Sequence, residues 1–89
     1  MATHRSAEKR HRQSERRRAR NVSTKSQVKT RIKSLIATVE AKDAQDAGEK
    51  LLTATKAIDK AASKGIIHKK TASRKISRLT RKVNALSAL

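Results

Sequence analysis

Apolar residues recur with the period of an α-helix in separate stretches of this chain. In one stretch they follow one another by 4, 3, 1 and 3 residues: Val28, Ile32, Leu35, Ile36 and Val39. Near the end they follow by 4, 3, 4 and 3: Ala72, Ile76, Leu79, Val83 and Leu86. Both spacings place the apolar side chains on one face of a helix with 3.6 residues per turn. Proline is absent and no run alternates β-branched and aromatic residues, so the pattern predicts helices throughout.

A middle helix is predicted between two stop signals. We expect a break around residues 41–43, Asp43 as the N-cap of the second helix, and Gly65 just beyond its C-terminal end. Ile66 is then expected to pack back in a Schellman arrangement. The predicted inward stripe comprises Ala44, Ala47, Gly48, Leu51, Thr55, Ile58, Ala61 and Ala62. Gly48 on this stripe is expected to permit close contact between helices rather than to act as a hinge.

Short connections between these helices predict an all-α fold, an antiparallel three-helix bundle. Upstream of Val28 the residues are good helix formers without an apolar face. The first helix is therefore expected to extend back towards residue 5 and to project beyond the bundle. We expect a single domain over residues 1–89, with residues 1–27 as a basic extension of helix 1 and residues 28–89 as the bundle.

The charge of the chain is concentrated at its two ends. Residues 1–34 hold twelve Lys/Arg against two acids, residues 35–65 five against five, and residues 66–89 seven against none, which sums to the formal +17. Two basic segments around a neutral middle repel each other unless a polyanion is near. The charge pattern therefore indicates a phosphate backbone as the partner.

The predicted binding residues lie on the two basic segments. In the first, Arg5, Lys9, Arg12, Arg16 and Arg20 form one stripe by steps of 4, 3, 4 and 4. The prevalence of arginine there suits forked contacts to phosphates. In the third helix, cations occupy the arc opposite the apolar face. The full predicted set is Arg5, Ser6, Lys9, Arg10, Arg12, Ser14, Arg16, Arg17, Arg18, Arg20, Asn21, Lys25, Ser26, Lys29, Lys33, His68, Lys69, Lys70, Arg74, Lys75, Arg78, Arg81 and Lys82.

Composition also excludes several functions. Without Phe, Tyr or Trp the chain cannot stack bases on aromatic rings, so recognition of folded, double-stranded nucleic acid through backbone and shape remains. His4, His11 and His68 have no metal-binding spacing and no cysteine supports them, so neither a metal nor a cofactor is expected. The sequence has no nucleophile–base pair and no Gly-rich phosphate loop, and an enzyme is not expected. His68 is expected either to contact a phosphate or to cap the third helix.

Two other classes of function are also weighed for this charge pattern. The first is a small basic nucleoid-type DNA-binding protein. The absence of an apolar wedge residue for the minor groove from the basic segments argues against it. The second is a membrane-active cationic helix, which needs bulky apolar residues opposite the charges. Residues 1–27 lack such a face, and the apolar faces of the first and third helices are needed for the core.

Several motifs resemble one known family, the bacterial small-subunit ribosomal protein twenty. They are the run Arg5-Ser6-Ala7-Glu8-Lys9-Arg10, the run from Gln13 to Asn21, the pair Lys25-Ser26, Lys33, and the run from Ala62 to Lys75. The last run resembles the family's Lys-Gly, Ile-His-Lys and Ala-x-Arg pattern. The family often has Asn-Lys where this chain has Lys70-Thr71. The resemblance covers essentially the whole chain.

The resemblance implies a three-helix bundle that binds 16S ribosomal RNA early in assembly of the small ribosomal subunit. It implies that the protein bridges the 5′ domain and the long penultimate-stem helix near the 3′ end of that RNA, within the ribosome of the cytoplasm. We expect residues 1–27 to become ordered only on RNA. No small-molecule substrate, membrane or homo-oligomer is expected. If about eight phosphates are engaged, the log–log salt slope of binding is expected to be about −7.

Overall fold

Three helices make up the fold in a computed structural model, which describes the backbone of residues 3–87 and the side chains of residues 4–86. They are α1 (Thr3–Glu40), α2 (Ala44–Ser63) and α3 (Lys69–Ser87). Within residues 3–87 there is no β-strand, so the all-α prediction is confirmed. The outermost residues of the predicted 1–89 domain lie outside the described part.

The long first helix has two unlike halves. Every described residue from His4 to Arg20 is exposed, and Val28 is the first buried side chain along α1. From Val28 onward the predicted apolar face packs into the bundle, with Leu35 fully buried. The molecule consequently measures 69 × 21 × 14 Å, because the first half of α1 extends beyond the other two helices.

The core is small and α2 lies at its centre, packed against both neighbours, while α1 and α3 touch each other only briefly. Its buried apolar members are Val28, Leu35, Ala47, Ala54, Ile58, Ala61, Ala72, Leu79 and Val83. Leu35 and Ile58 are the largest fully buried side chains. Three alanines at seven-residue spacing present the narrow face of α2 to the core, which lets the helices approach closely.

The predicted stripe of α2 was partly wrong. Gly48 is exposed, and a Cβ added to it would meet no atom within 4 Å, so Gly48 does not serve close helix contact. Ala44 is also exposed, whereas Ala54, absent from the predicted stripe, is fully buried. The inward positions of α2 are Ala47, Leu51, Ala54, Ile58 and Ala61, spaced by 4, 3, 4 and 3. In an alanine-rich helix hydrophobicity hardly distinguishes the faces, so the partner helices decided this register.

The connection from α2 to α3 is the predicted Schellman motif. Gly65 adopts φ 77°. The Ile66 N–H donates to the carbonyl of Ala61 at 2.9 Å, and the Gly65 N–H donates to the carbonyl of Ala62 at 3.0 Å. Ile66 packs against the core, so the hydrophobic contact that accompanies this motif is also present.

The connection from α1 to α2 uses the same geometry with a lysine in the glycine position. Lys42 adopts φ 61°, and its N–H donates to the carbonyl of Val39 at 3.0 Å. The Asp43 N–H donates to the carbonyl of Thr38 at 3.3 Å. Asp43 then caps α2, because its Oδ1 accepts from the Asp46 N–H at 3.1 Å. The predicted break and the predicted N-cap are both confirmed.

Candidate nucleic-acid interface

The basic arm, residues 4–27, carries nine arginines and lysines against two acids, and every residue from 4 to 20 is exposed. All of these cations are exposed, as are the predicted serines, and Asn21 is half-buried. Within residues 4–86 the ion pairs are His4–Glu8, at 3.2 Å, and Lys50–Asp46, at 3.6 Å. No arginine or lysine of the described basic arm is therefore neutralised by an acid of the same chain.

The helical geometry of the basic arm distributes its charge around the axis. Successive residues differ by about 100° in direction, so Arg16, Arg17 and Arg18 point to different sides. At 1.5 Å per residue the arm is about 36 Å long. A rod of this kind is suited to a groove or crevice of nucleic acid, where phosphates surround it, rather than to a flat surface.

A second cationic surface covers α3 on the side away from the core. The α3 face comprises the exposed residues Lys70, Arg74, Lys75, Arg78, Arg81 and Lys82. Ala72, Leu79 and Val83 of the same helix are buried, and Ile76 packs against the core. The structure thus places these predicted residues where a partner can reach them.

His68 caps α3. Its Nδ1 accepts a hydrogen bond from the Lys70 N–H at 3.1 Å, and its carbonyl accepts from the Ala72 N–H at 3.0 Å. Because Nδ1 accepts, the ring carries its proton on Nε2. The side chain is exposed, so Nε2–H remains available as an outward donor. The capping role is therefore present in the fold, and it leaves a donor for the phosphate contact that the sequence also suggested.

A cleft of about 610 Å³, lined in part by apolar side chains, lies between α1 and α3. Its apolar lining is Val22, Val28, Ile32, Ile66 and Ile67, and its polar lining is Lys25, Ser26, Lys29, His68, Thr71 and Lys75. Val22 is notable because a valine that is 60% exposed has no role in the core. The α1–α3 cleft brings predicted residues of both basic segments together, so the basic arm and the α3 face adjoin at this cleft.

A second groove, of about 330 Å³, lies between α1 and α2 and is more polar. The α1–α2 groove is lined by Thr24, Gln27, Val28, Arg31, Thr53, Lys56, Ala57, Lys60 and Lys64. None of its four cations was in the predicted binding set. The three lysines were missed because residues 35–65 are neutral overall, yet the i, i+4, i+8 spacing of Lys56, Lys60 and Lys64 was a usable signal. Arg31 lies in the first basic segment but off the stripes from which the set was chosen.

Neither a group of metal ligands nor a membrane-spanning helix occurs in the part of the chain that the structure describes. Among its side chains no three His, Cys, Asp or Glu residues are grouped so that they could hold a metal ion. None of its helices combines the length and the apolar character needed to cross a membrane.

Comparison of the sequence with known proteins identifies its family. A family model described as ribosomal protein S20 matches residues 2–84. This chain belongs to the ribosomal protein S20 family. It is 62% identical over 85 residues to the small ribosomal subunit protein bS20 of Syntrophus aciditrophicus, covering 96% of each chain. It is 54% identical over 88 residues to the protein of that name from Desulfotalea psychrophila, covering 99% of each chain.

Family membership confirms the resemblance seen in the sequence motifs. A third relative, bS20 of Geobacillus thermodenitrificans, is 52% identical over 88 residues, again with 99% of each chain covered. Because S20 proteins are ribosomal proteins, the chain is a structural component rather than an enzyme, as predicted. The individual contacts of the predicted binding residues remain predictions.

Proposed function

We propose that this chain is a constituent of the small ribosomal subunit that binds 16S ribosomal RNA directly and helps that RNA to fold. The observation that carries the proposal is the basic arm, a helix whose arginines and lysines are exposed and pair with no acid among the described residues. The names of its relatives, small ribosomal subunit protein bS20, support the choice of ribosome and subunit. Its place of action is therefore the ribosome in the cytoplasm.

The energetics of the basic arm explain why RNA suits it. Like charges three and four residues apart repel along a helix, and the arm buries no apolar face that would offset this repulsion. Phosphates that neutralise the arm release condensed counterions, which favours binding, and they remove the repulsion at the same time. We propose that residues 1–27 acquire their stable order in this way, on RNA.

The presence of two cationic surfaces on one chain supports the bridging of two RNA segments. The basic arm extends along the 69 Å axis of the molecule, whereas the α3 face lies beside the core. RNA segments bound to these surfaces are held at a fixed relative position because α1 is continuous from the arm into the bundle. We propose that the segments are the 5′ domain and the penultimate stem of 16S ribosomal RNA.

A salt titration of binding tests the proposal. The protein is titrated into 16S ribosomal RNA between low and moderate salt, with duplex DNA and an unrelated structured RNA as competitors. We expect a log–log slope of about −7, with retained preference for the ribosomal RNA. Equal affinity for all three nucleic acids would contradict the proposal and favour a generic polyanion binder of the nucleoid type.

Bridging has a separate test. Fluorophores are attached to the 5′ domain and to the penultimate stem of the RNA, and energy transfer is followed as protein is added. We expect transfer to increase with the wild-type chain and to fail with the variant Arg74→Gln, Arg78→Gln, Arg81→Gln, although that variant still binds through the basic arm. Equal transfer with both proteins would contradict the assignment of the α3 face.

A further inference from the structure

We propose that the α1–α2 groove is an additional phosphate-binding site, which holds the sugar–phosphate backbone of an RNA segment apart from those on the basic arm and the α3 face. This inference rests on the proposed RNA binding and adds a third contact surface to it. The residues assigned to this site are Arg31, Lys56, Lys60 and Lys64, with Thr24 and Gln27 as neutral donors.

The groove is cationic although the segment that supplies most of it is neutral. Arg31 of α1 lines the same groove as three lysines of α2, and no acid lines it. Two of the three acids of α2 have other surroundings, since Asp46 pairs with Lys50 at 3.6 Å and Asp59 lines a depression on the α3 side. The third, Glu49, is exposed and does not line the groove. In the folded chain, the lysines of α2 that line the groove therefore have no acidic partner among the described residues.

The row of groove lysines carries a repulsion that the fold offsets only in part. Lys60 lies in the last turn of α2 and Lys64 at its C-cap, where the negative end of the helix dipole favours a cation. Lys56, Lys60 and Lys64 are exposed and succeed one another at i+4 spacing, where like charges destabilise a helix. None of them caps α2 through its side chain or pairs with an acid. Repulsion of this kind is relieved by an anion lying along the row. The row spans about 12 Å at 1.5 Å per residue, which is long enough for more than one phosphate of a strand.

The position of the groove defines how α1 sits in the RNA. Val28 lines both the α1–α2 groove and the α1–α3 cleft. Arg31 lies towards the groove, whereas Lys25 and Lys29 lie towards the cleft. The same three turns of α1 thus have phosphate-binding side chains on both flanks, so that this part of α1 is placed between two RNA segments.

Matched double variants test the site. Lys56→Gln with Lys60→Gln removes two charges from the groove, and Lys42→Gln with Lys50→Gln removes two lysines of the same region that lie outside every proposed surface. We expect the groove variant to weaken binding to 16S ribosomal RNA and to reduce the magnitude of the salt slope by about 2, at about 1 per phosphate-contacting lysine. The control variant is expected to keep the wild-type slope.

The outcomes separate this inference from the proposed function. If the wild-type chain shows a shallow slope, RNA binding itself fails. If the wild type is steep and both double variants change the slope equally, the groove effect is only net charge and the groove assignment is overturned. Thermal melting of both variants checks the fold. The groove variant is expected to melt close to wild type, because the lost repulsion and the lost interaction of Lys60 with the C-terminal end of α2 oppose each other.

A direct contact test uses the absence of cysteine from the chain. Thr53→Cys places one thiol at the lining of the α1–α2 groove, and Gln45→Cys places one on an exposed position near the start of the same helix. Each thiol is labelled with a short photo-crosslinker and irradiated in the RNA complex. We expect an RNA crosslink from position 53 and little from position 45. No crosslink from position 53, or equal crosslinking from both positions, would contradict an RNA backbone at this site.

Discussion

The basic arm and the bundled half of α1, residues 28–40, belong to one continuous helix and share the same backbone hydrogen bonding. Their side chains differ in what they contact. The bundled half buries Val28, Leu35 and Thr38 against α2, whereas the described residues 4–20 bury nothing. Helical propensity alone stabilises isolated helices only marginally. The comparison shows that one continuous helix can be packed over about its last third and exposed over most of the rest, where we propose that it contacts RNA.

The division predicts that stability and RNA affinity can be changed independently. Substitutions in residues 28–86 that alter packing change the free energy of unfolding. Substitutions in the basic arm change RNA affinity with little effect on unfolding.

The first prediction concerns the core. Leu35→Ala is expected to lower the free energy of unfolding by about 2–5 kcal/mol, because Leu35 is 0% exposed and its loss leaves a cavity. Val22→Ala in the basic arm, where Val22 is 60% exposed, is expected to change it by less than about 0.5 kcal/mol. Chemical denaturation followed by circular dichroism measures both. Similar effects from the two variants would show that the arm packs against the bundle in solution.

The second prediction concerns the middle of the basic arm. Arg16→Ala, Arg17→Ala and Arg18→Ala combined are expected to weaken RNA binding and to reduce the magnitude of the salt slope by about 3, if each arginine contacts a phosphate. Alanine is a better helix former and removes repulsion, so the bundle melting temperature should not fall. Filter binding across a salt series measures the slope. An unchanged affinity would remove the arm from the interface.

The third prediction compares the two glycines, since a Cβ at either would meet no atom within 4 Å. Gly65→Ala is expected to destabilise the bundle by about 1–2 kcal/mol, because Gly65 has φ 77° and an L-residue is strained there. Gly48→Ala is expected to stabilise it by about 0.5–1 kcal/mol, because Gly48 lies inside an exposed helical turn. Thermal melting gives the sign of each change; equal signs would contradict this account.

The fourth prediction separates the two roles of His68. His68→Ala removes the Nδ1 acceptor at the start of α3 and is expected to cost about 1 kcal/mol of bundle stability. His68→Asp supplies another acceptor and suits the positive end of the helix, so stability should be kept. The same carboxylate repels phosphate, so RNA binding should weaken slightly with Asp. Unchanged RNA affinity in the Asp variant would leave His68 with the capping role alone.

Much of the fold was predictable because its signals are local. The apolar faces of α1 and α3 stand out against charged neighbours, so their registers could be assigned from spacing alone. Asp43 and Gly65 were identifiable because a cap and a left-handed turn demand particular residue types. Lys42 was not identifiable as the left-handed residue of the first connection, because lysine carries no preference for that conformation.

The sequence by itself determined the three helices, their caps and the concentration of positive charge at the two ends, because propensity, capping and charge act over a few neighbouring residues. Tertiary structure alone decided which face of the alanine-rich α2 is buried, since Ala54 and Gly48 differ in burial only through what the other helices contact. It also decided that Arg31 and the lysines of α2 line one groove. A neutral sum of charges along the chain gives no information on how folding distributes those charges in space.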